Sequence, residues 1–381
     1  TLTLARTAAL DHGAVVVNRA AVTGLRRGPD GHLVGAEVHA DGSAIAVDAS
    51  VVINATGVWV DQLRAMDEGH DPDMIRPAKG MHIAVPWDRV RNDVAVILPV
   101  PKDKRSIFVV RQDDLCYIGT TDTDYDGPLD DPQCTPEDVE YLLATLNAWT
   151  TETVRPSDVV GTWAGLRPLV RDASNDRTAD LSRRHSVVTS DQGLVTVTGG
   201  KLTTYREMAA DTVDAAAELL PENVDAGRCR TKRLPLRGHD HRNELHRWVK
   251  RGVVSQDVVD HLDRRYGGEA RVVLAMLEGH ETLAEPLVPG LPYLRAEALY
   301  AARYEMATSI DDVLSRRTRA RLFARDDSAE AAADVAELIG GVLGWDDDRR
   351  EQEVAAYRSS IEAERIAPGL PETHLADLIG V

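Results

Sequence analysis

The chain has 381 residues but only three cysteines, Cys116, Cys134 and Cys229. They form no C-x-x-C and no metal-ligand spacing. The sequence therefore offers no disulfide framework and no zinc site, and the thiols read as free in a reducing compartment. No apolar run approaches the ~18 residues that cross a bilayer. Positive charge is in short supply: 44 Lys and Arg face 62 Asp and Glu, a formal charge of −18. That balance argues against nucleic acid as a general partner. It does not exclude an anionic substrate, because a few convergent arginines can reverse the local field. There is no internal repeat, no low-complexity tract and no G-x-G-x-x-G. Residues 120–124 carry two carboxylates but lack the spacing and terminal Glu of an EF-hand, so a solvated loop is expected there. Thr1 opens what reads as mid-domain sequence, and a chain lacking its natural start is expected.

What is present suits two domains. A hydrophobic fraction of 43% and a charged fraction of 28% are those of a globular protein, and the length allows two sizeable cores. The stretch TVTGGKLTTY, residues 196–205, organises the reading. Residues 194–198 are β-prone. Gly199 and Gly200 turn the backbone and let it approach a ligand. A helix follows over 206–220, with Thr203, or Thr204 with Glu207, placed to cap it. Tyr205, Met208, Ala209, Val213, Ala216 and Leu220 recur at helical spacing. Backbone N–H groups and Lys201 then sit at a helix N-terminus, which suits an anion or a developing negative charge. An ordinary strand–turn–helix with a surface lysine fits this stretch equally well.

Around it, a helix is expected over 2–11, ended by Gly13, then a strand over 14–17. Strands over 34–39 and 44–47 flank the Asp41-Gly42 turn. Residues 51–53 read as a buried strand ending in Asn54-Ala55-Thr56-Gly57, where a cofactor could lie against backbone. His82 is expected at the start of a short strand over 83–85. Its histidine chemistry suits a proton acceptor, and a purely structural role is the plainer reading. A hairpin is expected over 107–110 and 115–120, a helix from Thr135-Pro136 to about 149, and a strand over 159–163. Arg167 follows, then Arg183 and Arg184, and a hairpin turning at Asp191-Gln192-Gly193. Arginines at strand ends, with Lys201, make a plausible clamp for phosphate or carboxylate. A basic linker over 228–238 is expected to divide residues 1–227 from a wholly helical 239–381. Helices there are expected over 255–266, 270–278, 296–308, 310–323, 329–343 and 347–367. The cluster Arg316, Arg317, Arg319 and Arg321 is assigned a structural or interdomain role.

The segments VVINATGVWVDQL (51–63), KGMHIAVP (79–86), IGTTDTDY (118–125), AGLRPLV (164–170), SRRH (182–185), GGKLTTYREMA (199–209) and DDVLSRRTRARL (311–322) together resemble the flavin-dependent glycerol-3-phosphate dehydrogenase family, in the family's order and across nearly the whole chain. The resemblance implies an α/β plus α architecture: a partial FAD-binding dinucleotide fold with a mixed β-sheet substrate domain, then an all-helical C-terminal domain. It implies FAD as cofactor and oxidation of sn-glycerol 3-phosphate to dihydroxyacetone phosphate by hydride transfer from C2, with electrons passed to quinone at the cytoplasmic membrane face. It places Ala55, Thr56 and Gly57 along the FAD, and Gly199, Gly200, Lys201, Leu202 and Thr203 at the isoalloxazine ring. It makes His82 the base and Arg167 the partner of the developing alkoxide. Arg167, Arg183, Lys201 and Thr203 correspond to residues around the substrate's phosphate and hydroxyls. The family's glycine-rich first strand has no counterpart here, so the isolated chain is expected to purify largely without FAD. No metal and no nucleic acid are expected. Peripheral membrane association and a homodimer are left open. Two alternatives stand beside this reading: an oxidase that passes electrons to oxygen, and a non-catalytic fragment whose helical region binds or dimerises.

Overall fold

The computed structural model describes residues 1–171 and 184–379. The first helix, α1 (Leu2–His12), ends at Gly13 in the left-handed region, as the sequence suggests. The expected strand over 14–17 does not form. Val15 and Val17 lie 90% and 62% exposed, and regular pairing begins only at Ala20. A β-prone run without a neighbouring strand has nothing to hydrogen-bond along its length. Three antiparallel strands follow in order: β1 (Ala20–Arg27), β2 (Leu33–Ala40) and β3 (Ser43–Asp48). The sequence reading missed the first of these and placed the other two correctly. β4 (Val52–Asn54) comes next, but its middle residue Ile53 is 41% exposed rather than buried. Helix α2 (Val60–Glu68) follows it.

The largest sheet holds six strands. They are β5 (Ile75–Pro86), β6 (Val96–Pro99), β7 (Ser106–Gln112), β8 (Leu115–Gly119), β9 (Thr123–Asp124) and β10 (Gly161–Val170). The order is β10-β5-β8-β7-β6, with β9 also on β5. Two expectations change here. β5 is twelve residues long, so His82 sits well inside a strand. β10 extends through Val170, so Arg167 lies on a strand rather than after one. The inward row Met81, Ile83, Ile107, Val109, Cys116 and Ile118 packs against Leu142 and Leu146 of α3 (Pro136–Asn147). Each such leucine contributes about 1.5–3 kcal/mol by leaving water. Thr135 and Asp138 close a capping box at the start of α3, with Pro136 in the first position. Asp138 also pairs with Lys79 at 2.6 Å, both side chains buried, and this ties the helix to β5. A small third sheet joins β11 (Ser186–Thr189), β12 (Leu194–Thr198) and β4, with β12 antiparallel to β11 and parallel to β4.

Beyond residue 239 every named element among the described residues is helical. Ser255 caps Gln256–Tyr266 and Asp346 caps Asp347–Ile366. The helix expected over 310–323 is broken instead. Asp312–Arg317 forms a π-turn, Arg319 takes a left-handed φ of 64°, and Ala320–Phe323 resumes the helix. Arg317 explains the break: its buried guanidinium pairs with Asp312 and donates to the Glu305 carbonyl at 2.6 Å, which holds the turn open. Arg321 pairs with Glu364 and Asp311. Both contacts are structural, as assigned. The span over 329–343 divides at Ala331 into Arg325–Glu330 and Ala332–Leu343. None of the helices described is long and apolar enough to cross a membrane.

The helical region shares a core with the large sheet. Ala84, Leu115 and Val160 pack with Val313, Leu314, Phe323, Val335 and Tyr357. Residues 228–233 are exposed, while Arg237 donates its backbone N–H to Thr7 and pairs with Asp11, mooring the chain to α1. At the seam, the Arg325 N–H donates to the Val160 carbonyl at 2.8 Å. A methyl group on neighbouring Gly161 would strike the Leu322 carbonyl and lie 3.1 Å from that of Arg321. Overpacking against backbone costs about 1–3 kcal/mol. Gly161→Ala is therefore expected to lower the melting temperature, read by differential scanning calorimetry. An unchanged transition would mean that the two regions are not in tight register at this point.

Candidate functional site

Side chains on paired strands share a face when they stand opposite each other and alternate along each strand. In the β5–β10 register Trp163 faces His82, Gly165 faces Gly80 and Arg167 faces Ala78. In the β5–β8 register Gly119 faces His82. The face opposite the α3 core therefore carries Trp163, Gly165 and Arg167 from β10, Gly80 and His82 from β5, and Tyr117 and Gly119 from β8. It has a bare floor with aromatic and cationic walls. The His82 ring stacks on Trp163 at 4.9 Å and 9°, with Tyr117 edge-on at 6.3 Å. A Cβ at Gly119 would lie 2.6 Å from His82 Cγ, so the imidazole rests across that glycine. A Cβ at Gly80 would lie 2.6 Å from Thr120 Oγ1 and run into the Arg167 guanidinium. Over Gly165 there is open space, with no atom within 4 Å of where its Cβ would stand.

Arg167 donates from Nη1 to Asp122 Oδ1 at 2.9 Å and from Nη2 to Thr120 Oγ1 and the Thr121 carbonyl at 3.1 and 3.2 Å. Residues 120–124 are thus not the solvated loop the sequence suggested. Thr121 is buried and its hydroxyl accepts from the Met81 N–H, while Thr123 pairs with Lys79 on β5. Burial, and then the charge of Arg167, pull the His82 pKa down to about 4. The imidazole is neutral at physiological pH and able to accept a proton, and its Nδ1 is buried with no partner among the described residues.

The second half of the site lies at the ends of β4 and β12. These strands run parallel, with Asn54 opposite Thr196. Ala55, Thr56 and Gly57 leave one strand where Gly199 to Thr203 leave the other. Such a crevice, outside the carboxyl ends of neighbouring parallel strands, is where α/β sheets bind ligands. Buried Asn54 fixes the first turn: its Nδ2 donates to the Val60 carbonyl at 2.9 Å and its Oδ1 accepts from Thr56 Oγ1 at 2.7 Å. Gly57 has a φ of 65° and open space above it. Gly199 and Gly200 have φ of 72° and 78°. A Cβ on the first would lie 2.6 Å from the Arg184 carbonyl, and one on the second 2.7 Å from Met208 Cε. Lys201, Leu202 and Thr203 are exposed, and Thr198 Oγ1 is buried without a partner among the described residues. Bare backbone, positive-φ glycines, an orphaned hydroxyl and the partly exposed Ile53 and Trp59 fit a flat cofactor lying along both turns.

Helix α4 (Tyr205–Ala217) starts without the expected threonine cap. A 3₁₀ turn over Leu202–Thr204 precedes it, and Thr204 Oγ1 turns back to donate to the Lys201 carbonyl at 3.0 Å. Its buried face is also rotated from the expected one. Thr212 and Ala216 are covered against β11 and β12, while Tyr205 and Val213 face outward.

The two halves adjoin. A Cβ on Gly199 would lie 3.5 Å from Val170 Cγ2 at the end of β10, and β10 also runs against residues 57–59. Arg167 stands three residues back from Val170, about 10 Å along the strand. The structure thus brings His82 and Arg167 to one face of the sheet and Ala55–Gly57 and Gly199–Thr203 to the Val170 end of β10. Arg183 lies outside the described residues. Sequence reasoning missed Trp163, Gly165, Gly80, Tyr117, Gly119 and Asp122. The signal for all but Asp122 was the alternation W-x-G-x-R, G-x-H and Y-x-G, which is legible only once the extents of β10, β5 and β8 are known.

Residues 1–206 match the model of a family described as FAD dependent oxidoreductase, and residues 229–350 match one described as the C-terminal domain of alpha-glycerophosphate oxidase. The parallel-strand crevice and these matches place the chain in the FAD dependent oxidoreductase family. A solved glycerol-3-phosphate dehydrogenase from Bacillus halodurans, complexed with FAD, superposes with a TM-score of 0.81 over 97% of this chain and 73% of that one, at 30% identity. The chain belongs to the FAD-dependent glycerol-3-phosphate dehydrogenase family. It is 38% identical over its whole length to glycerol-3-phosphate dehydrogenase 2 of Mycobacterium tuberculosis and spans 65% of that protein. It is 35% identical to the mouse mitochondrial enzyme, over 82% of this chain and 44% of that one.

Two measurements probe the geometry. A buried histidine whose folded pKa lies below its unfolded value contributes stability above pH 6.5 that is lost as pH falls through 4. The loss amounts to at most about 3 kcal/mol. His82→Phe, which can keep the stack on Trp163, is expected to flatten the fall in urea-unfolding stability between pH 6.5 and 4; an unchanged slope would place the proton uptake elsewhere. Gly165→Leu puts a side chain into open space, so its melting temperature is expected to stay close to that of the parent while turnover collapses in the FAD-loaded protein. Retained turnover would show that nothing reacts above Gly165.

Proposed function

We propose that this site oxidises sn-glycerol 3-phosphate to dihydroxyacetone phosphate, with electrons passed on to quinone. The observation that carries the proposal is the neutral His82 standing beside Arg167 along an open glycine floor that borders the cofactor crevice. Oxidising a secondary alcohol takes a proton from the hydroxyl and a hydride from the carbon that bears it. His82 receives the proton. Arg167 donates to the oxygen as negative charge builds on it, a stabilisation placed in advance of the reaction. FAD, when bound, supplies the acceptor for the C2 hydride, and Ala55, Thr56, Gly57 and Gly199 to Thr203 are the residues that would hold it. The phosphate dianion needs more than one positive partner, and Arg183 and Lys201 are assigned to it, with Thr203 adding a hydroxyl. The reading places the protein at the cytoplasmic face of the membrane, as a peripheral protein.

The match of residues 229–350 to a domain named for an oxidase favours a second reading, in which oxygen accepts the electrons. Quinone reduction assayed beside peroxide release separates the two.

Hydrogen bonds to charged groups contribute about 1.5–3 kcal/mol each. In the FAD-loaded protein Arg183→Ala and Lys201→Ala are each expected to lower kcat/KM for glycerol 3-phosphate by roughly ten- to a hundredfold. Neither should much change the slow use of unphosphorylated glycerol. Equal losses on both substrates would remove these residues from the phosphate and assign them to the flavin or the fold.

A further inference from the structure

Arg167 projects from β10 opposite Ala78. Gly80 and Gly165 lie beside it on that face, and the end of its long, flexible side chain takes its position from polar contacts. Among the described residues three are formed: Asp122 Oδ1 at 2.9 Å, Thr120 Oγ1 at 3.1 Å and the Thr121 carbonyl at 3.2 Å. In the carboxylate contact both partners are charged, and such bonds are roughly twice as strong as neutral ones. Asp122 is itself well held. Its side chain is 14% exposed, and its carbonyl accepts from Arg105 Nη1 at 2.9 Å, while Arg105 in turn is clamped by Asp103 at 2.6 Å. A chain of fixed contacts thus runs from Asp103 to the guanidinium.

We infer that Asp122 is the positioning residue of this site, aiming Arg167 along the glycine floor at the substrate's reacting oxygen and balancing its charge. This rests on the reading of Arg167 as the group that meets that oxygen. Charge balance has a consequence for specificity. A dianion gains less from a compensated Arg–Asp pair than from a lone cation, so the pair suits a single alcohol oxygen and leaves the phosphate to Lys201 and Arg183.

The test uses the FAD-loaded protein with Asp122→Ala, Asp122→Asn, Asp122→Glu and Arg167→Ala, alone and combined. Misplacing a catalytic group by about 1 Å can cost a hundredfold. Asp122→Ala is expected to lower kcat by roughly ten- to a hundredfold with far less change in KM. Asp122→Glu should recover part of the loss. Asp122→Asn, which keeps the shape and an acceptor but loses the charge, should bind glycerol 3-phosphate more tightly by calorimetry while turning over more slowly. A purely structural role would not produce that opposition. In the Arg167→Ala background Asp122→Ala should cost nothing further. Additive losses, or a KM effect alone, would overturn the inference. So would full activity of Asp122→Ala beside an impaired Arg167→Ala. If Arg167→Ala itself keeps its kcat, the reading of Arg167 falls and the inference falls with it.

Discussion

The pairing of β5 with β10 is the constraint on which the rest depends. It runs unbroken from Gly161 opposite Ala84 to Val170 opposite Ile75. One end is welded to the helical region, where Val160 accepts from Arg325 and Gly161 lets the Leu322 backbone come close. The middle presents His82, Trp163, Gly165 and Arg167. The far end abuts the Gly199 turn. A slip of one residue by β5 would send Gly80 and His82 to the α3 side and take Met81 and Ile83 out of the α3 core. The row Met81, Ile83, Val85, fully buried, is therefore what fixes the opposite, chemical face.

The two faces divide the work. One is filled by apolar side chains and by the buried Lys79–Asp138 pair. The other is open at Gly165, carries His82 across Gly119 and the Arg167 guanidinium over Gly80, and packs Ala84, Leu115 and Trp163 against the helical core. The opening above Gly165 lets a ligand come close to the sheet, beside the Arg167–Asp122 pair. The helical region adds rigidity behind β10 through its own buried ions: Arg317 with Asp312, Arg321 with Glu364 and Arg325 with Asp326.

Much of this was legible in the sequence because short signals carry definite physics. Thr135-Pro136 capped a helix, Asp41-Gly42 turned a hairpin, and Gly199-Gly200 took positive φ. The motifs around His82, Arg167 and Lys201 pointed to the family, and the comparisons bear that out. The misses share a cause. Residues 14–17 are β-prone but have no strand to pair with, so propensity alone misled. His82 and Arg167 looked peripheral because Lys79-Gly80 and Gly165-Pro168 resemble strand ends, whereas long antiparallel pairing carries β5 and β10 through both. Residues 120–124 looked solvated because their two carboxylates lack the spacing and terminal Glu of a calcium loop, and only the fold places Asp122 against Arg167. The break at Arg317 follows from a buried guanidinium reaching the Glu305 carbonyl, a contact no helical periodicity records.

A crystal structure of the FAD-loaded protein with glycerol 3-phosphate bound tests the central claim most directly. The account predicts the C2 oxygen above Gly165, within hydrogen-bond reach of Arg167 and His82, with the phosphate displaced toward Lys201. Substrate bound away from this face, or with its phosphate seated on Arg167 against Asp122, would contradict it.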